Sequence, residues 1–174
     1  IQSLRQEFTS QISLDWEYIY KELQKEGIAS IVYFYLRKYG LIDALPQDVA
    51  LSLRRQFLQN LNNNMIAIGK AKKIFSTFHD SGIQLVVLKG LYFVEHVYPH
   101  MAMRGLSDID ILIREKDLLK AHTCLEHLGY SAIDATPEKA LENPPGYLSS
   151  LDYLHMNDGG HHIHIHWHLV NTSV

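Results

Sequence analysis

The chain has 174 residues, 47% of them hydrophobic and 20% charged, which supports one packed domain, or a domain with a helical annex, and excludes extensive disorder. A formal net charge of −3 gives no global attraction to nucleic acid, although a local basic cleft stays open. No apolar run approaches the ~20 residues that span a bilayer, and no signal peptide is read, so no membrane partner is expected.

Cys124 is the single cysteine, so no internal disulfide forms and a cytoplasmic location is the default expectation. The chain opens at Ile1 and stops just past a strong strand signal, so a truncated C-terminus is expected.

Residues 1–80 read as a helical region. In "LDWEYIYKELQKEG", Trp16, Ile19 and Leu23 recur at helical spacing and Gly27 stops the helix. "SIVYFYLRKYG" reads as a buried helix ending at Gly40. From Pro46, a residue suited to a helix start, Val49, Leu53, Phe57 and Leu61 recur every four residues towards Gly82. The run Asn62, Asn63, Asn64 has poor helix propensity and marks a candidate bend.

Residues 81–174 change period. "IQLVVLKG" reads as a buried parallel strand that ends at a glycine, and "LYFVEHVY" as a short helix ended by Pro99. "DIDILI" is the second strand. "REKDLLKAHTCLEHLG" is an amphipathic helix with Leu118, Ala121, Leu125 and Leu128 on one face. "TPEKALENPPG" reads as a loop and "HHIHIHWHL" as the third strand. Strands alternating with helices point to an α/β (α+β) core behind the helical N-terminal region.

Aspartate is a poor strand former and costly to bury, yet Asp108 and Asp110 open "DIDILI". Residues i and i+2 of a strand share a face, with Cα atoms ~6.5–7 Å apart. Two carboxylates placed so can converge on one hard cation or bridge two. A structural alternative has Asp108 capping the strand and Asp110 pairing with Arg104 or Arg114. Upstream, "LKG" is a tight turn whose backbone N–H groups can approach a phosphate, with Lys89 adding a point charge. Arg104, in the loop before the strand, either reaches a phosphate or pairs with Asp108.

With "LKG", "RGLSDIDILI", "HLGY" and "IHIHWHL" in this order, most of the chain resembles the uncharacterised nucleotidyltransferase family of the DNA polymerase β-like superfamily. The resemblance implies a small mixed sheet flanked by helices. It implies transfer of a nucleotidyl group from an NTP to an unknown acceptor (protein, nucleic acid or small molecule), with release of pyrophosphate. It places the triphosphate at Gly90, with Lys89 beside it; Arg104 joins them as a cofactor-binding candidate from its place before the strand, not from the resemblance. It makes Asp108 and Asp110 the catalytic, metal-holding pair for Mg²⁺ or Mn²⁺. Departures from the pattern are Leu91 where a small polar residue is usual, a long interval from Gly90 to Asp108, and His164 where the third strand tends to be acidic. Histidine is a poor magnesium ligand, so His164 supports a softer ion such as Mn²⁺, another group such as Asp152 or Asp158 stands in, or activity is lost.

His162, His164, His166 and His168 alternate with Ile163, Ile165, Trp167 and Leu169, giving one imidazole face and one apolar face. His164 and His166 are candidate metal residues; His162 and His168 read as strand histidines that bond to water and neighbours. Two further functions stay open: a catalytically weak relative that binds nucleotide or metal as a regulatory module, and a histidine-based transition-metal binder.

Overall fold

Helix-forming stretches and helix-stopping glycines alternate through the first part of the chain, and the computed structural model follows them; it describes residues 14–133, 135–142, 149–157 and 160–169. Helix α1 is Trp16–Lys25, α2 is Ala29–Lys38 and α3 is Gln47–Asp80. Asp15 caps α1 by accepting from the Tyr18 N–H at 2.9 Å. The chain divides into two compact units, residues 1–64 with 97–105, and residues 65–96 with 106–174.

The first unit packs Ala29 and Tyr33 of α2 against Val49, Leu53 and Phe57 of α3, with Ala102 and Met103 from a short 3₁₀ turn, Met101–Met103. The asparagine run does not interrupt α3, which stays helical through it. The buried asparagines of α3 bond instead to groups beyond the helix. Asn64 is fully buried, and its amide donates to the carbonyls of Met101 and Arg104, each at 2.6 Å. Asn60 donates to Ser30 Oγ at 2.9 Å and accepts from Gln56 at 3.1 Å.

The second unit is built on a five-stranded mixed sheet in the order β1-β2-β5-β4-β3. The strands are β1 Leu85–Val87, β2 Asp108–Ile113, β3 Tyr130–Ala132, β4 Ser150–His155 and β5 His162–His166. Only the β2–β5 pairing is parallel; the other three are antiparallel. The expected α+β core with a mixed sheet is therefore present. One feature differs. "IQLVVLKG" yields a three-residue edge strand, antiparallel to β2, with Val86 56% exposed. A continuous apolar run does not distinguish a buried strand from an edge strand whose residues are only partly covered.

Alternation along each central strand sorts the sheet into two faces. Ile109, Ile111 and Ile113 of β2, Ile163 and Ile165 of β5, and Leu151 and Tyr153 of β4 are all buried. Helix α4, Lys89–His96, packs on β2, and α5, Leu118–His127, packs on β3. Each buried isoleucine contributes roughly 1.5–3 kcal/mol, enough to fix the register and turn the aspartates and histidines to the other face.

Two strands escape the sequence reading, since β3 is three residues long and β4 lies in a stretch read without an element. A short helix, α6, Pro137–Glu142, stands within the expected loop. Proline suits its first position, and Thr136 Oγ1 accepts from the Lys139 N–H at 3.4 Å. The third strand ends at His166, short of the predicted "WHL".

Candidate functional site

Registers across β2, β5 and β4 bring the polar face together. Asp110 lies opposite His164, which lies opposite Asp152; Asp108 lies opposite His162; Leu112 lies opposite His166. Neighbouring strands run ~4.8 Å apart, within reach of side chains this long. Asp108, Asp110, His164 and His166 are therefore neighbours on one face.

Asp110 is the most enclosed of them, 2% exposed although it is a carboxylate. Its Oδ1 accepts from Lys89 Nζ at 3.0 Å and His166 Nε2 at 2.9 Å. Burial by itself pushes the carboxyl up, but the hydrogen bonds and charges of His166 and Lys89 outweigh it and hold the group at about 2. Asp108 is more open. Its Oδ1 accepts from Ser107 Oγ at 3.1 Å, and its Oδ2 lies 3.7 Å from His164 Nδ1.

The depressed Asp110 carboxyl has a consequence for stability. Such a group stabilises the fold fully above its ordinary value of 3.8, and that contribution is lost as pH falls through about 2. The gap is worth about 2 kcal/mol. The groups facing it are Lys89 at the start of α4, His164 and His166 of β5, and Asp108 of its own strand. In urea titrations with chelator present, the stability difference between wild type and Asp110→Asn is expected to hold from about pH 5 to about pH 4. It should then shrink by about 2 kcal/mol towards pH 2. A difference that stays constant down to pH 2 contradicts this.

His164 stands between the aspartates. Its Nδ1 is 3.6 Å from Asp110 Oδ1, and its Nε2 is 3.3 Å from Asp152 Oδ1. His162 Nδ1 lies 2.8 Å from Asp152 Oδ2. Asp110, His164 and His166 each offer a ligand atom, all within 4.8 Å of one another, and so do Asp152, His162 and His164. Both groups are close enough to hold a metal ion.

Lys89 and Gly90 sit at the first turn of α4 rather than in a loop. Lys89 adopts φ 46°, a left-handed conformation that costs a non-glycine residue ~1 kcal/mol or more. Its side chain is 62% exposed and reaches Asp110. Gly90 is buried, and a Cβ there would meet Leu106 Cδ2 at 3.1 Å, so the helix approaches closely at this position.

Arg104 belongs to the first unit. There it lines a cavity of about 450 Å³ with Ser30, Asn60 and Tyr98. His168 lies beyond β5, with Nε2 3.4 Å from Glu115 Oε2. Asp158 lies outside the described residues.

Sequence reasoning names Asp152 without ranking it, yet the sheet sets it beside His162 and His164. The signal was present: Leu151 and Tyr153 alternate with Ser150 and Asp152, a half-buried strand pattern, in "SLDYLH".

Among the described residues, no helix is long and apolar enough to cross a membrane. A family model described as an uncharacterised nucleotidyltransferase matches residues 13–173. Neither a curated protein nor a solved structure matches the chain.

Proposed function

We propose a function from one premise: the chain belongs to the uncharacterised nucleotidyltransferase family. We infer that it moves a nucleotidyl group from an NTP to an acceptor, with release of pyrophosphate, and that it needs a divalent cation. The observation that carries this reading is the Asp108–Asp110 pair set against His164 and His166, with Lys89 reaching the same carboxylate.

The donor set is mixed carboxylate and imidazole, which suits Mn²⁺ better than Mg²⁺, an ion that prefers an all-oxygen shell. Asp108, Asp110, His164 and His166 would hold it. When bound, the cation offsets the negative charge that gathers on the phosphate oxygens.

The chain's own groups do the remaining work. Asp110 stays ionised at any ordinary pH because its carboxyl is held at about 2. Lys89 is mostly exposed, so it can trade its bond to Asp110 for a phosphate oxygen at little cost. Gly90 lets the backbone at the start of α4 approach closely.

A second reading has its own support. Asp110 Oδ1 already accepts from two donors, and an imidazole rather than a carboxylate stands opposite it on β5. A weak relative that binds nucleotide or metal as a regulatory module would carry the same arrangement.

The test supplies α-phosphate-labelled NTPs to the chain with a cell extract as the source of acceptors. Label transfer with pyrophosphate release is expected, faster with Mn²⁺ than with Mg²⁺. Thermal stabilisation by NTP and Mn²⁺ without any transfer would favour the second reading.

A further inference from the structure

Asp152 of β4 is the odd member of the polar face. Its Oδ1 is buried and has no hydrogen-bond partner, although His164 Nε2 lies 3.3 Å away. A buried carboxylate oxygen left without a donor is costly, so its position calls for an explanation. The distance supplies one. Two ligands of a tetrahedral zinc ion, each ~2.0–2.1 Å from the metal, lie about 3.3–3.4 Å apart. The His164–Asp152 pair has the spacing of a ligand edge rather than the geometry of a hydrogen bond.

A third ligand is at hand. His162 follows the same strand face as His164, and its Nδ1 lies 2.8 Å from the other oxygen of Asp152. Ligand atoms from Asp152, His162 and His164 all lie within 4.8 Å of one another.

We propose that Asp152, His162 and His164 form a second cation site, separate from the Asp108–Asp110 pair, which takes a borderline transition dication of the zinc class rather than magnesium. Two imidazoles and one carboxylate are a donor set for zinc, cobalt or nickel, with a fourth position left for water or another ligand.

The site has a consequence for its neighbour. A neutral imidazole carries one proton. An ion on His164 Nε2 keeps that proton on Nδ1, which faces Asp108 Oδ2 at 3.7 Å and Asp110 Oδ1 at 3.6 Å. Occupancy of the second site thus makes His164 a donor towards the aspartate pair and takes it out of the ligand set there, leaving Asp108, Asp110 and His166 to hold a cation at the first site. That consequence matters for catalysis only if the transferase reading holds; the binding itself does not depend on it.

The experiment titrates the chelator-stripped full chain with Co²⁺ and follows the visible absorption of a low-coordinate site. Wild type is expected to take up Co²⁺, to release it to Zn²⁺, and to keep it in excess Mg²⁺. His162→Ala and Asp152→Asn should each weaken Co²⁺ binding by more than about 10-fold. Asp108→Asn should leave it within about 2-fold. His162→Gln serves as a second variant, since His162 is 43% exposed and its replacement leaves the core untouched. No uptake by wild type, or wild-type affinity in both His162→Ala and His162→Gln, would overturn the proposal. Equal losses in Asp108→Asn and His162→Ala would also overturn it, by placing the ion on the aspartate pair. None of these readouts requires nucleotide, so a failed transfer assay and a failed titration are told apart.

Discussion

Asp110→Asn is expected to lower label transfer and pyrophosphate release by about 10²–10³-fold, the range for removing one preorganised electrostatic group from a reacting centre. The substitution is nearly isosteric, so packing against the buried neighbours is kept. What changes is charge and hydrogen-bonding sense. The carboxylate accepts from Lys89 and His166 on one oxygen. An amide can accept on its oxygen as well, but it cannot balance a cation or a protonated lysine. Lys89 would lose its ion-pair partner, and the ligand group of Asp110, His164 and His166 would lose its only negative member.

The control is Asp108→Asn. Asp108 is 35% exposed and makes looser contacts, so the transferase reading predicts a comparable activity loss with a smaller effect on stability. If Asp110→Asn transfers label as well as wild type, the carboxylate is structural and the reading fails. If it loses stability but neither variant changes nucleotide-dependent thermal shifts, the regulatory reading fails with it.

The local geometry of the polar face is the most legible part of the chain. Alternation is a period-two signal, so "DIDILI" and "HHIHIHWHL" declare which side chains share a face before any pairing is known. The buried Ile109, Ile111, Ile163 and Ile165 meet that expectation. Which strands lie beside each other is a different kind of information. It depends on contacts far apart in sequence, such as Asp110 with His164 and His164 with Asp152. Periodicity within one segment cannot report them.

Local context is silent elsewhere. Lys89 next to a glycine gives no sign of the carboxylate, 21 residues later in the chain, that its ammonium bonds. Asn62, Asn63 and Asn64 suggest a bend because asparagine competes with helical hydrogen bonds. Only the tertiary partners of a buried asparagine reveal why a helix tolerates it.

Those partners make Asn64→Ala the variant with the largest expected loss of stability. The side chain is fully buried in mid-helix, and its amide nitrogen donates to two backbone carbonyls, Met101 and Arg104, at 2.6 Å each. Alanine is the better helix former, which gains ~0.5 kcal/mol. Against that, two part-buried acceptors lose their donor at ~1–3 kcal/mol each, and a small void opens. The losses win, for a net cost of about 3 kcal/mol, or roughly 6–12 °C in Tm for a chain of this size. Asn64→Asp should be no better, because an ionised carboxylate cannot donate and would face two carbonyl oxygens. Asn63→Ala supplies the comparison: Asn63 is exposed one position earlier, so its replacement should be neutral or slightly stabilising. Equal melting temperatures for Asn64→Ala and Asn63→Ala would mean that the buried amide does not hold the Met101–Arg104 turn to the helix.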